Sequence, residues 1–538
     1  MSTERHDPPG TVLLSSEQSG SIIYQPQPSD DPEDPLNWST LRKCINLGLV
    51  LSYVLLTFVV LDIPPVAYGQ LVEDIGITFQ LSNVAAALNF AGLAIGGVLL
   101  IPFTYRYGRR PIYLISIAVQ LAAAIWAARI TSKGEYLASS MLGGLGGAIS
   151  ETIVQITIVD LVFVHQYATM NGVFLVTQGV GAYLGPVAAG YIVQSQGWRW
   201  MWWWCVIFIG STLVLVLLFF EETTYVAAID GAPVAASPKD DTDESVGKEW
   251  QEVNTLANTA SIGTTPPKSK SASRPFRGRG VTSSKPLRKR LALITHTEGP
   301  IKHHFLAPFI ILFQFPAVAY TAVTVGSVMS WMAVMISIAA TRMIEPPYNF
   351  GPSAIGLINL APFVGQLISG LLAAPFSDKC IVKMARRNGG LYEPEMRLWL
   401  ALPGAVLVSA GVLMFGIGIA HNAHWGVLTT GIAIFASGFT LALDIALAYL
   451  QDCYPNIIGD ALVIVVFARN AIAVIILFYL SPWLDSMGLQ NMFIMIGVLS
   501  FVILLAPLPL LRWGKHARIM TTKNYQYHSL RQPSRRAM

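Results

Sequence analysis

Four ionisable residues lie inside long apolar stretches of this sequence, where a charged group is costly. They are three acids and one base: Asp62, Glu151, Asp444 and Arg469. Placing such a group at the centre of a bilayer costs about 2.5 to 3.5 kcal/mol, so these residues are usually paired or functional. Sheltered carboxyl groups can exchange protons or bind a cationic ligand. The candidate chemistry of this chain is therefore proton exchange, cation binding, or both.

Arg469, in the sequence FARNAIAV, is the only basic residue deep inside an apolar stretch. A guanidinium in that setting requires an anion, and Asp444 lies at a compatible depth on the preceding stretch. We therefore expect an Asp444–Arg469 ion pair, which would serve either as a structural clamp or as a protonation switch. Glu151 has an alternative role as a buried acid that hydrogen-bonds a neighbour. Asp160 and Asp452 fall at the ends of apolar stretches, where we expect interfacial charges.

The composition indicates the elements that must position these groups. Only 12% of the 538 residues are charged and 53% are hydrophobic, against about 25% charged in a soluble domain. Apolar runs of about twenty residues, each enough to cross a hydrocarbon core of roughly 30 Å, recur along the chain. The sequence predicts an all-α membrane protein with twelve spans, near 45–67, 83–104, 110–130, 136–160, 170–193, 199–220, 307–332, 353–376, 398–419, 425–448, 460–481 and 491–512.

The spans divide into two bundles of six helices separated by a polar interval. Most of the 35 Lys and Arg residues fall on one side of the predicted spans, which places both termini in the cytosol by the positive-inside rule. Polar, Ser- and Pro-rich segments flank and join the bundles and have the composition of disordered chain. The predicted organisation is a tail (1–43), a bundle (44–220), a cytosolic linker (221–305), a second bundle (306–512) and a tail (513–538).

The seventh predicted span carries a stripe of polar and aromatic residues: Gln314, Tyr320 and Thr324. Such a stripe can line a binding site for a mostly apolar ligand. Core packing between helices explains the same pattern equally well.

The sequence gives no support for an enzyme, a metal site or a cofactor site. Four cysteines are scattered without the paired spacing of a disulfide framework or a zinc site. The basic part of the linker lacks interleaved aromatic residues, so we expect no binding of nucleic acid.

The fifth predicted span has an unusual density of glycine. In water each glycine weakens a helix by about 1 kcal/mol relative to alanine. In lipid the helix is retained, because an unpaired backbone is worse, and the glycines form a flat face for close packing. A proline in the second half of the span bends its axis. This span is therefore either a closely packed helix or a hinge between bundles, built from Gly172, Gly181, Gly185, Pro186 and Gly190.

This spacing resembles the fifth-helix antiporter motif of drug:proton antiporters in the major facilitator superfamily (MFS), with Ala189 in place of one motif glycine. The resemblance implies the MFS fold of two six-helix pseudo-repeats and proton-driven exchange, usually export. In that fold the first, fourth, seventh and tenth helices line the central cavity. Three of those four helices would then carry an acid: Asp62, Glu151 and Asp444.

The segment TYRYGRRP between the second and third spans resembles the cytosolic latch of the same family. Four of its residues match the latch, namely Arg106, Gly108, Arg109 and Arg110, and Asp378 is an acidic counterpart in the second bundle. Tyr105 stands where relatives carry an acid, so this latch would be weakened. Ser140 stands where relatives carry an arginine tied to proton coupling, which makes Glu151 the better candidate for that role.

Three functions follow from the resemblance as alternatives. The first is proton-coupled export of a drug-like or secondary-metabolite molecule. The second is proton-coupled uptake of a polyamine or other organic cation, because RRNGGLYEPEMRLW resembles a fungal branch that includes such carriers. The third is a nutrient sensor without net transport. The expected partners are a small organic substrate, protons and the bilayer, for a monomer in the plasma membrane or another internal membrane such as the vacuole.

Overall fold

A computed structural model describes residues 12–13, 34–162, 164–223, 301–389 and 391–529. The side chains of residues 12–13, 105, 159, 164–169, 301–304 and 372–378 lie outside that description. Most of the predicted N-terminal tail, most of the predicted linker and the last nine residues of the predicted C-terminal tail also fall outside the described residues. Below, the first half means residues 34–223 and the second half means residues 301–529.

The first half is built from nine α-helices. The first and fifth predicted spans are interrupted by a 3-10 turn at Pro64–Ala67 and a π-helical turn at Val180–Leu184. The helices are α1 (Thr40–Asp62), α2 (Tyr68–Ile75), α3 (Phe79–Tyr107), α4 (Arg110–Ala128), α5 (Lys133–Gly147), α6 (Ile153–Leu161), α7 (Val164–Gly179), α8 (Gly185–Gln196) and α9 (Trp198–Phe219).

The second half contains ten α-helices, the last of which continues beyond the twelfth span. They are α10 (Ile301–Gln314), α11 (Pro316–Arg342), α12 (Pro352–Ile358), α13 (Leu360–Arg387), α14 (Glu395–Leu398), α15 (Ala401–Ala420), α16 (Trp425–Cys453), α17 (Ile458–Met487), α18 (Leu489–Leu504) and α19 (Pro507–Ser529). Two short strands, β1 (Val12–Leu13) and β2 (Leu391–Tyr392), pair in antiparallel register.

Eleven stretches of the described chain are long and apolar enough to cross a membrane. Each overlaps one of the twelve predicted spans, but the seventh is displaced, because it covers Pro316–Arg342 where the sequence predicts 307–332. The predicted fourth span, 136–160, is not one continuous helix, because α5 ends at Gly147 and α6 begins only at Ile153. The sequence GGLGGA leading into this break has low helix propensity, which helps the helix to end there.

The seventh span is also interrupted, and its cause is a proline. Phe315 is extended between α10 and α11, at φ −117° and ψ 107°. Pro316 has no backbone N–H to continue the hydrogen-bond ladder, and its ring disfavours helical geometry at the residue before it. The break therefore lies at a position that the sequence itself dictates.

Glycines allow helices to pack backbone against backbone inside each half. A Cβ atom at Gly144 of α5 would collide with the carbonyl oxygen of Asn89 on α3. A Cβ at Gly411 of α15 would lie 2.6 Å from the Cα atom of Phe435 on α16. Because lipid tails are as apolar as the side chains, close packing of this kind is a main source of helix association in a bilayer.

We expect Gly144→Ala to destabilise the first half, by about 1–3 kcal/mol if the helices must move apart to admit the methyl group. Thermal unfolding of the purified protein in detergent measures this effect. Gly48→Ala is the matched control, because its Cβ would meet nothing within 4 Å. Equal melting temperatures for the two variants would show that the α3–α5 contact can adapt to the extra carbon.

Candidate functional site

The central polar feature of the structure is an ion pair that joins the two halves. Glu151 lies in the break between α5 and α6, and Arg469 lies in the middle of α17. The guanidinium group donates a hydrogen bond to the Glu151 carboxylate. The side chains are only 12% and 9% exposed, so water screens this pair weakly and each charge depends on the other.

This contact corrects the expected Asp444–Arg469 pair, which is wrong. Arg469 is directed across the interface between the halves and meets Glu151, instead of turning towards the neighbouring helix α16. Asp444 is half-buried, and within the described part of the chain it makes no ion pair or hydrogen bond. Sequence spacing predicted a compatible depth for the two residues, but it could not give the rotation of each helix about its axis.

Asp62 is the second acid without a partner among the described residues. It ends α1 and lines a small cavity of about 20 Å³, whose wall includes Asn359 and Pro362 from the second half. The interface between the halves therefore holds one neutralised acid, Glu151, and a second acid, Asp62, with no cation of its own among the described residues.

Two residues of the second half position Arg469. A Cβ atom at Gly326 of α11 would lie 3.0 Å from the Arg469 Cα atom, so this glycine lets α11 and α17 approach closely at that point. The Asn470 side-chain oxygen accepts a hydrogen bond from the Arg469 Nε–H at 3.4 Å. Sequence reasoning missed Gly326, because one glycine in an apolar span does not reveal which helix it faces.

Unsatisfied polar groups flank both members of the pair. The hydroxyls of Ser150 and Thr152 and the amide nitrogen of Asn470 are buried and have no hydrogen-bond partner in the described part of the chain. Leaving such a group unpaired costs about 1–3 kcal/mol. These groups are therefore ready to bind water, a substrate or a rearranged side chain beside Glu151 and Arg469.

The two halves also meet at one end of the molecule, called here the closed end. A Cβ at Gly190 of α8 would lie 2.7 Å from the Pro352 carbonyl oxygen, and one at Gly356 of α12 would lie 2.6 Å from the Pro186 carbonyl oxygen. A polar bridge of three residues lies on α3, α11 and α17. In it the Ser337 hydroxyl donates to the Asn83 amide oxygen at 2.5 Å, and the Asn83 amide nitrogen donates to the Ser481 hydroxyl at 3.4 Å.

The five residues of the predicted conformational motif divide between two surroundings. Gly181 and Gly185 face α1, where added Cβ atoms would lie 2.5 Å from the Leu55 carbonyl oxygen and 2.9 Å from a Val59 methyl group. Pro186 and Gly190 face the second half at the closed end. Gly172 has nothing within 4 Å of an added Cβ. The motif therefore joins packing inside the first half to contact between the halves.

The polar stripe of the seventh span is packed among neighbouring helices. Gln314 hydrogen-bonds His528 of α19 at 3.0 Å, so it belongs to the packing of the C-terminal helix. Tyr320 packs edge-on against Tyr449, with ring centroids 6.0 Å apart, and Thr324 is 1% exposed. The structure does not join these three side chains to the Glu151–Arg469 pair by any hydrogen bond among the described residues.

The predicted latch lies at the end of α3 opposite to Asn83, called here the charged end. Arg109 forms an ion pair with Asp160, and the Glu222 carboxylate accepts the backbone N–H groups of Arg109 and Arg110 at 2.9 Å each. Asp160, for which the sequence predicts an interfacial charge, therefore has a cationic partner. Asp160 and Glu222 are the acids that contact the latch among the described residues.

The other latch residues take different positions. The Arg110 guanidinium donates to the Leu217 carbonyl oxygen at 2.7 Å, and Gly108 adopts φ 88° where the chain turns against Glu222. Arg106 is exposed and lies near the ring of Tyr107. The side chain of Asp378 lies outside the described part of the chain, so its place in the latch stays a prediction.

The second half repeats this arrangement at the start of its own third span. Arg397 pairs with Asp452 at 2.5 Å, just as Arg109 pairs with Asp160 in the first half. Asp452, also predicted as an interfacial charge, therefore has a cationic partner as well. The Tyr392 hydroxyl donates to Asp452, and burial together with the charge of that carboxylate raises the pKa of Tyr392. A buried pair, Glu395–Arg518, fixes α19 beneath the same helix.

Removing one member of the central pair should be worse than removing both. Arg469→Ala leaves a buried carboxylate without its cation, and Glu151→Ala leaves the reverse, at a cost of about 3–5 kcal/mol for either. The double variant should regain part of that loss. Thermal unfolding of the four proteins of this double-mutant cycle measures the coupling, and additive losses would contradict a direct interaction.

Comparison with known proteins agrees with this architecture. The sequence profile of the Major Facilitator Superfamily matches residues 48–476. An uncharacterized MFS-type transporter of Schizosaccharomyces pombe, C1271.10c, is 32% identical and covers 96% of this chain and 94% of the relative. Protein HOL1 of Saccharomyces cerevisiae is 28% identical, over 94% of this chain and 92% of its own length.

Solved structures show the same fold. The proton:xylose symporter XylE of E. coli, bound to 6-bromo-6-deoxy-D-glucose, superposes with a TM-score of 0.56 at 15% sequence identity. The match covers 88% of this chain and 97% of XylE. The predicted all-α membrane fold is therefore confirmed, and the relatives are transporters and not enzymes. The profile match over residues 48–476, together with the 32% identical relative, shows that this chain belongs to the Major Facilitator Superfamily.

Proposed function

We propose that this chain is a proton-coupled secondary transporter that works by alternating access. The single observation that carries the proposal is the buried Glu151–Arg469 ion pair between the two halves. A proton on the Glu151 carboxylate would neutralise it and remove the ionic attraction across the interface. Proton binding would thereby change the relative stability of the two facing states, which is what coupling requires.

The break in the fourth span supports this role for Glu151. Irregular backbone at membrane depth is tolerated where it is buried in protein or lines a cavity, and interrupted helices often carry transporter binding sites. The hydroxyls of Ser150 and Thr152 could hold water beside the carboxylate. Such water would donate the proton to Glu151 in one facing state and accept it from Glu151 in the other.

The closed end and the charged end would act as alternate gates. We propose that the charged end faces the cytosol, because its short loops carry more basic residues than the short loops at the closed end. The chain would then be closed on the outside, through Gly190 with Gly356 and through Asn83 with Ser481. The latch pairs at the cytosolic end, Arg109–Asp160 and Arg397–Asp452, would keep each half rigid while the halves rock.

We propose export of a drug-like or secondary-metabolite molecule as the direction of transport. The support is the antiporter-like motif, whose Pro186 and Gly190 form part of the contact between the halves. A second candidate is uptake of a polyamine or other organic cation, favoured by the two acids without a partner, Asp62 and Asp444. A monomer in the plasma membrane, with both termini in the cytosol, fits either function.

Flux in proteoliposomes with an imposed pH gradient separates these functions. Rhodamine 6G serves as a drug-like probe and radiolabelled spermidine as a polyamine probe. Movement of rhodamine 6G in the direction opposite to proton flow supports export. Movement of spermidine in the same direction as proton flow supports uptake. Binding of either probe without any gradient-dependent flux would instead indicate a sensor.

We expect Glu151→Gln to abolish transport driven by the pH gradient, because the amide cannot take up or release the proton. The variant should still reach the membrane, since the amide oxygen can accept a hydrogen bond from Arg469. Exchange of labelled for unlabelled probe, which needs no net proton movement, should persist. Glu73→Gln is the matched control, because Glu73 is an exposed acid of the same half. Full gradient-driven transport by Glu151→Gln would rule out its role.

Asp62→Asn and Asp444→Asn test the preference for cations. If these acids face the substrate, each variant should bind spermidine about tenfold or more weakly, because a charged hydrogen bond contributes about 1.5–3 kcal/mol. Asp485→Asn, an exposed acid on α17, is the control. Unchanged spermidine binding in both cavity variants would remove the argument for a cationic substrate.

A further inference from the structure

A basic surface covers the last turns of α13 at the charged end. It is formed by Lys379, Lys383, Arg386 and Arg387, whose spacing places them on one side of the helix. All four side chains are exposed, and Val382 between them is 44% exposed. In the described part of the chain none of the four makes an ion pair or a hydrogen bond.

The same end of the molecule neutralises other cations with its own acids. Arg42 pairs with Glu221, and Lys515 pairs with Glu393 at 2.5 Å. The buried Arg518–Glu395 pair and the latch pairs follow the same pattern. The nearest acid in the sequence is Asp378, whose side chain lies outside the described residues, and residues 379–389 contain no acid. Among the described residues, these four cations within nine positions therefore form a cluster without a paired acid.

The depth of this surface places it at the boundary of the bilayer. Helix α13 continues to Arg387, and its sequence is apolar as far as Phe376. At 1.5 Å per residue, Lys379 lies about 5 Å beyond Phe376 and Arg387 about 16 Å beyond it. The headgroup layer is about 5–8 Å thick on each side. Long basic side chains in this range can reach lipid phosphates.

We infer that this basic surface of α13, formed by Lys379, Lys383, Arg386 and Arg387, binds the headgroups of anionic phospholipids in the adjoining leaflet. Clusters of four or more basic residues next to a transmembrane helix have the charge to hold acidic lipids. Each cation near the surface contributes about fivefold in affinity. A phosphorylated inositol lipid, which presents several charges on one headgroup, should bind more tightly than phosphatidylserine.

The basic surface and part of the closed end belong to the same transmembrane span. The eighth span consists of α12 and α13, and Gly356 of α12 contacts Pro186 of the first half. A lipid bound at Lys379 and Lys383 would therefore hold the opposite end of the same span that closes the interface. This inference does not depend on proton coupling or on the identity of the transported molecule.

Binding of fluorescent short-chain phosphatidylinositol bisphosphate to the purified full-length protein in neutral detergent tests the site. Lys379→Gln/Lys383→Gln should weaken binding about 25-fold, and added salt should weaken binding to the unaltered protein. The matched control is Arg512→Gln/Lys523→Gln, which removes two exposed cations of α19 at the same end. The control should change affinity less than threefold.

Competition distinguishes the source of the phosphate. Short-chain phosphatidylserine and unlabelled inositol lipid should displace the probe, whereas inorganic phosphate and free inositol trisphosphate at equal concentration should not. Displacement by the free phosphates would overturn the assignment to lipid. Equal losses in the two double variants, or none in either, would overturn the assignment to α13. Arg386→Lys/Arg387→Lys should retain binding, and unchanged melting temperatures would confirm that each variant is folded.

Discussion

A charge buried between two helical bundles must be neutralised by the opposite bundle or by a proton, and this constraint organises the structure. Arg469 cannot be solvated in the middle of α17, so its position depends on the Glu151 carboxylate from the other half. Because the two members belong to different halves, the stability of their contact is tied to how the halves are arranged. A change in the charge of Glu151 would act directly on the interface.

The surrounding fold brings these groups together because glycines at the contact points let the helices approach closely. Gly326 lets α11 approach α17 beside Arg469, and Gly190 and Gly356 let the halves touch at the closed end. The break between Gly147 and Ile153 interrupts the regular helix around Glu151. In a bilayer, where apolar surfaces gain little from leaving lipid, such close approaches and polar bridges such as Asn83 provide the specificity of packing.

The charged end follows a different rule, because water and lipid headgroups can reach it. There the fold repeats one pairing in each half, between the start of the third span and the end of the fourth span. Arg109 pairs with Asp160 in the first half, and Arg397 pairs with Asp452 in the second. These pairs tie helices together inside a half and leave the interface between halves to Glu151 and Arg469. The basic surface of α13 stands outside this scheme, which is why we assign its counterions to the membrane.

The sequence by itself determined the membrane environment and the helical fold. The hydropathy of a twenty-residue run depends only on local composition, so the spans follow directly from the sequence. The same holds for the positions of Pro186, Pro316 and the glycines. The tertiary structure decided which charges meet. It paired Arg469 with Glu151 and not with Asp444. It placed Asp160 and Glu222 in contact with the latch, and it joined Gln314 to His528 of the C-terminal helix by a hydrogen bond. The reason is that a partner depends on the rotation and tilt of each helix against neighbours that are far away in the chain, and the spacing of residues within one span contains no record of either.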